Sequence, residues 1–292
     1  FLFKTIQQMM EKIILIVLAG FAHGFEYALN TYTVSVQDFP FVDPYRCRIS
    51  KFCNVSYEWN FKFGREIMGT AYIPDGGINM DTIIFGSRYG NDKFTTLCND
   101  MASAGFLVIK LHLHNPQIFL DYSKDILRAA IDIYYEGTRN IKSQFYNNLS
   151  GNTILMGFGE ISDKLLWIND NDNFVHSSIK GLILISPSLI RDINLNQISQ
   201  NIQQNVMIVT GSYDYYLPKY NGKNIYELIP WYNNNICKIY VELNGGNECW
   251  FIDYNNNDNY NKTSECIRKF KETDIYMEPI MTHEYQLSNY GA

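Results

Sequence analysis

The chain has 292 residues, 46% of them hydrophobic and 18% charged, with a formal net charge of -6. That apolar share supplies a full core and excludes an intrinsically disordered chain. The acidic balance and the lack of any Lys/Arg run exclude nucleic acid as a partner, because phosphate backbones are held by clustered positive charge. The length suits one large α/β domain or at most two small ones. Asparagine tracts such as YNNNI and DYNNNDNYN read as compositional drift.

From Met10 the sequence runs MEKIILIVLAGFAHG, a charged start, a short apolar run from Ile13 and small residues at Gly20, Ala22 and Gly24. This pattern predicts a secretory signal peptide over residues 1–24, cleaved after Ala22 or Gly24, with FLFKTIQQM reading as upstream translation. The apolar run falls short of the roughly 20 residues that span a bilayer, so no stable membrane span is expected. If retained, the segment would serve as an anchor or an assembly helix.

Two features agree with secretion. Asn54, Asn148 and Asn261 each open an Asn-x-Ser/Thr acceptor for N-linked glycans. Six cysteines, Cys47, Cys53, Cys98, Cys237, Cys249 and Cys266, are disulfide candidates in an oxidising compartment. Their pairing stays open, with Cys47–Cys53 and Cys249–Cys266 the first local choices. No Cys-x-x-Cys pair or Cys/His cluster points to zinc.

Residues 25–64 form an N-terminal extension in which TYTVSV alternates like a half-buried strand. REIMGTAYIP reads as a strand stopped by Pro74, and DTIIFGSRYG as an apolar strand entering a Gly-bounded loop. KFTTLCNDMASAG has helical spacing with Gly105 as its terminating glycine. FLVIKLHL is a buried strand. DYSKDILRAAIDIYYEG is the clearest helix, capped by Asp121 or Ser123 and ended by Gly137. The alternation continues through strand NTILMG, helix EISDKLLWI and strands GLILIS, NVMIVTG and CKIYVEL, then a last helix near SECIRKFKE. Short apolar strands alternating with helices predict an α/β fold, a mostly parallel sheet covered on both faces, in one domain over residues 65–276. Residues 277–292 are left as a C-terminal tail.

From about Arg65 to Lys271 the order of elements resembles an α/β-hydrolase, in detail the dienelactone-hydrolase, cutinase and polyester-hydrolase branch. Five places carry the likeness: GTAYIPDGGINMDTIIFG, MASAGFLVIKLHLHNP, ILMGFGEIS, VMIVTGSYDYYLP and YVELNGGNECWF. The resemblance implies an oxyanion loop at Gly86, Ser87 and Arg88, a nucleophile elbow at ILMGFGEIS, an acid in GSYDYYLP and a histidine in the last segment. At the elbow, where the family carries Gly-x-Ser-x-Gly, Gly159 stands for the serine and Ile161 for the last glycine. Glu248 stands for the histidine, and only Asp214 matches the acid.

Acyl transfer needs a nucleophilic oxygen, a base within reach and a group that orients the base. Gly159 has no side chain, and a glutamate with a reference pKa of about 4.3 is a poor base for a hydroxyl. Ser162 and Ser87 are substitute hydroxyls, but none of His112, His114, His176 and His283 stands where the family draws its base. The backbone oxyanion donors, the N–H of Glu160 and one in the Ser87–Arg88 loop, would survive these replacements. Convergence of Glu160, Asp214 and Glu248 at the elbow raises a speculative hard-cation site; otherwise no cofactor or metal is expected. Glu160 also reads as a first-turn acid complementing a helix N-terminus.

These readings lead to a secreted, glycosylated, catalytically inactive α/β-hydrolase-like protein that acts outside the cell as a structural, assembly or adhesion component. Its expected partner is protein, including self-association. The alternatives are a ligand-binding protein using the cleft, with Tyr213, Tyr215 and Tyr216 at its mouth, or an esterase with an atypical nucleophile.

Overall fold

The computed structural model describes residues 32–41, 67–87, 93–112, 178–187, 202, 204–212, 220–229 and 237–243, and residues 126–171 apart from 127–128, 131–132 and 135. Eight strands make one sheet: β1 (Val34–Phe41), β2 (Ile67–Pro74), β3 (Met80–Ser87), β4 (Leu107–His112), β5 (Leu149–Phe158), β6 (Ile179–Ile185), β7 (Asn205–Gly211) and β8 (Lys238–Leu243). Their spatial order is β1-β2-β4-β3-β5-β6-β7-β8. β1 and β4 each lie antiparallel to β2, and every other pairing is parallel. The helices are α1 (Thr95–Ser103), α2 (Glu160–Asn171) and α3 (Tyr220–Leu228), and the described residues of 126–138 are also helical.

The mostly parallel sheet follows from strands whose residues are apolar on both faces. All eight residues of β3 are buried, as are the last six of β5. Such strands need cover on each side. On one face Ile84, Ile109, Leu155, Leu184 and Ile208 pack with Ile126, Ile133, Ile161, Leu165 and Ile225 from the 126–138 helix, α2 and α3. On the other, Phe85, Val108, Met156 and Ile185 pack with Leu97, Cys98 and Met101 of α1. The period-two alternation along each strand sorts its side chains between these two layers.

Local chemistry fixes the ends of elements. Gly105, at φ 105°, follows α1; its N–H donates to the Ala102 carbonyl and that of Phe106 to Met101. This paired closure is the Schellman ending that a glycine permits. At the end of α3, the Lys238 ammonium donates to the carbonyls of Tyr226 and Ile229, both at 2.9 Å, and lies over the Tyr226 ring. Burial pulls the Lys238 pKa down, with Glu227 acting in the opposite direction.

Several sequence expectations are adjusted. The TYTVSV strand lies at Val34–Phe41 and runs through Pro40, tolerated because β1 is an edge strand. β1 therefore belongs to the same sheet although it falls in the stretch read as an N-terminal extension. Gly137 does not end its helix, which continues to residue 138. A β-carbon there would meet Leu149 at 2.7 Å, so this glycine serves close packing. Nothing in the sequence pattern predicts helix α3, because YNGKNIYEL has weak helix formers and few apolar residues. Two parallel neighbours nevertheless require a crossover between β7 and β8. The expected caps Asp121 and Ser123 and the helix near SECIRKFKE lie outside the described residues.

Candidate functional site

The parallel strands β3 to β8 end on one edge of the sheet. The chain leaves β3 through α1 on one face and β5 through α2 on the other, although β3 and β5 are neighbours. A switch of this kind opens a crevice beyond the strand ends, where open α/β sheets hold ligands. Register pairs Gly86 of β3 with Gly157 of β5, so Ser87 and the turn after Phe158 lie side by side. Ser87 of the predicted oxyanion loop is thus brought to the elbow, with Glu160 starting α2. Arg88 lies outside the described residues.

The turn itself is tight. Gly159 has φ 60°, its N–H donates to the Ile185 carbonyl at 2.8 Å, and α2 begins at the next residue. That left-handed conformation suits glycine and strains other residues. A β-carbon on Gly157 would stand 2.8 Å from the Ser162 backbone nitrogen and 2.9 Å from its Cα. Only a glycine lets the first turn of α2 lie this close to β5. Between the glycines, Phe158 turns into the core, its ring 4.9 Å from Phe94, which meets Phe85 edge-on at 5.0 Å. Ile161, expected at the place of the resembled motif's last glycine, is fully buried in the opposite layer.

Ser162 is a structural hydroxyl. It is fully buried, lies 2.7 Å from the Gly157 carbonyl and 3.0 Å from that of Ile185, and accepts from the Ile185 N–H at 3.1 Å. It therefore knots β5, β6 and α2 together. With no exposure and its hydroxyl held by backbone, it is not positioned to attack a substrate. Glu160 is half-buried and lies in the first turn of α2, where the helix dipole favours negative charge; the second acidic residue of that turn, Asp163, is fully buried.

Ser186, which the sequence reading did not single out, follows β6. Its N–H donates to the Val209 carbonyl, it is fully buried at φ 43°, and its hydroxyl oxygen has no hydrogen-bond partner among the described residues. A strained backbone and an orphaned hydroxyl both oppose folding, and such features concentrate at functional sites. No spacing in GLILISPSL signals them. The Ser186→Gly variant is expected to be about 1 kcal/mol more stable in urea unfolding, since relief of strain and of the buried hydroxyl outweighs glycine's extra unfolded-state entropy.

β7 and β8 end at Gly211 and Leu243, three residues before Asp214 and five before Glu248 in sequence. Asp214 and Glu248 lie outside the described residues, so of the speculative cation ligands only Glu160 is described. Among the described residues no group of three or more His, Cys, Asp or Glu is placed to hold a metal.

The histidine ending β4 is His112, and its Nε2 lies 2.9 Å from the Thr70 hydroxyl. Thr70 in turn donates to Asp38 at 3.3 Å. His114, His176 and His283 lie outside the described residues, as do Tyr213, Tyr215 and Tyr216. Cys98 is a thiol of α1 buried against the sheet, and Cys237 is an exposed thiol just before β8; the other four cysteines lie outside the described residues. Asn148 is half-buried, and its side-chain amide donates to the Gln144 carbonyl; Asn54 and Asn261 lie outside. Among the described residues no helix is long and apolar enough to cross a membrane. No protein-family model matches the chain, and no curated protein matches it.

Proposed function

We propose that the chain is a catalytically silent protein of α/β-hydrolase architecture, acting outside the cell by binding, as a structural, assembly or adhesion component. Support for the architecture comes from the strand order, with β2 alone reversed, and from the close strand-to-helix turn after β5. Hydrolases of this fold carry their nucleophile on such a turn. Support for silence rests on one observation: Gly159, at the apex and at φ 60°, has no atom to attack an ester. The neighbouring hydroxyl of Ser162 is held by backbone. The leader-like N-terminus and the Asn-x-Ser/Thr acceptors support the extracellular setting.

A fluorophosphonate probe tests this reading on the purified chain. No covalent adduct is expected, whereas stoichiometric labelling would overturn it. Gly159→Ser restores a hydroxyl at the apex, yet turnover of p-nitrophenyl esters is expected to stay at background, because the resemblance to the hydrolases gives the base position a glutamate, Glu248, in place of histidine. The same variant is expected to lose about 1–2 kcal/mol of stability from its left-handed serine. Sedimentation that found only monomer over a wide concentration range would count against self-assembly. A second reading, ligand binding in the crevice without turnover, is favoured by the orphaned Ser186 hydroxyl beside Gly159. Mass spectrometry of lipid or glycan carried through purification discriminates it.

A further inference from the structure

The outer edge of β1 is laid out with two-fold symmetry. The Asp75 N–H donates to the Thr33 carbonyl at 2.9 Å, and Val34 faces Pro74, which has no N–H to give. Hydrogen-bonded and non-bonded pairs alternate along an antiparallel ladder. Ser35 and Gln37 therefore bond to β2, while Val34, Val36, Asp38 and Pro40 turn their backbone groups outward. This outward row is closed at both ends. The Tyr32 N–H, on the same side, donates to the Ser103 carbonyl at 3.1 Å, and Pro40 has no N–H. Val36, 54% exposed, lies midway between the two stops, with Val34 and Asp38 equally spaced around it. Among the described residues no strand lies beyond β1.

We propose that this edge pairs antiparallel with the same edge of a second copy, about a two-fold axis at Val36, joining the two sheets. Val36 then faces the partner's Val36 and Val34 faces the partner's Asp38, each pair exchanging both its hydrogen bonds. The closed positions fall opposite each other, Tyr32 against the partner's Pro40, so no N–H is stranded. Self-complementarity of this kind is what a two-fold dimer requires, and an unrelated strand has no reason to match both stops. Charge agrees with this register. Asp38 is the only charged residue of β1, its carboxylate accepts from the Thr70 hydroxyl, and it meets Val34 and not its own copy. The two carboxylates are offset by about 14 Å along the strands, beyond the screening length of about 8–10 Å. On the opposite face Ser35 meets the partner's Gln37, polar against polar. An exposed edge strand is a template for such pairing. The inference deepens the assembly reading above and rests on it.

The test is sedimentation velocity of the full chain and two variants over a wide concentration range. So short a contact predicts a reversible dimer for the wild type, because standard interfaces bury about 1,600 Å² and three residue pairs bury less. Val36→Pro removes the central outward N–H and leaves the bonds to β2 in place, as Pro40 already does, so it is expected to stay monomeric. Val36→Lys keeps that N–H but sets two ammonium groups against each other on the axis. It is expected to raise the dissociation constant about tenfold, less in high salt. Circular dichroism and urea midpoints check that each variant keeps the fold; should the proline variant not fold, the lysine variant, at an exposed position, decides. Folded variants that associate as the wild type does overturn the proposal and leave assembly standing through another surface. A wild type that is monomeric at every concentration overturns it together with self-assembly, while the silence of the elbow is tested separately by the fluorophosphonate probe.

Discussion

Replacing Gly157 with alanine is expected to destabilise the chain by about 3 kcal/mol, the upper part of the range for overpacking a filled core. The added methyl would stand 2.8 Å from the Ser162 nitrogen, 2.9 Å from its Cα and 3.0 Å from the Ile161 carbonyl carbon. These atoms are backbone, so no rotamer change makes room. The first turn of α2 would have to lift from β5, carrying Ile161, Leu165 and Leu166 with it, all core residues. A control is Gly76→Ala: no atom lies within 4 Å of its added carbon, and only the positive φ of 73° opposes it. Urea midpoints for the two variants check the comparison. Equal losses would show that the closeness of α2 to Gly157 costs no more than the left-handed strain at Gly76.

This closeness explains what could be read from the sequence. Alternating short apolar runs gave the mostly parallel sheet, because strands buried on both faces need apolar residues at every position. GFG after an apolar strand marked the turn, because glycines are required where a helix presses on the strand that precedes it. α3 escaped notice since its helical state rests on tertiary packing: Gly222 allows Thr210 of β7 within 2.4 Å of where a β-carbon would stand. Propensity sees only the glycine and two asparagines of YNGKN. Ser186 and the Asp38–Thr70–His112 ladder were equally hidden. A positive φ at serine has no sequence signature, and the ladder joins residues that only antiparallel β1–β2–β4 pairing brings together. The roles of Asp214 and Glu248 rest on the resemblance alone, and both lie outside the described residues.

Removing the Ser162 hydroxyl separates the structural role of that serine from a chemical one. In Ser162→Ala the Ile185 N–H loses the hydroxyl it donates to, and the Gly157 carbonyl loses its 2.7 Å donor. The Ile185 carbonyl keeps the N–H of Gly159. One buried donor and one acceptor are left without this partner, an expected loss of about 2–3 kcal/mol at the 1–3 kcal/mol typical of such groups. Alanine is smaller than serine, so steric crowding does not contribute. Because Ser162 and Gly157 meet in the same knot, their effects should not add. In Gly157→Ala the displaced helix has already weakened the hydroxyl's bonds, so the double variant is expected to fall short of the sum by about 1 kcal/mol, within the range seen for contacting residues. Urea unfolding of the four proteins measures the coupling. Strict additivity would mean that the hydroxyl and the glycine act on different parts of the turn, and that β5, β6 and α2 are not held as one unit.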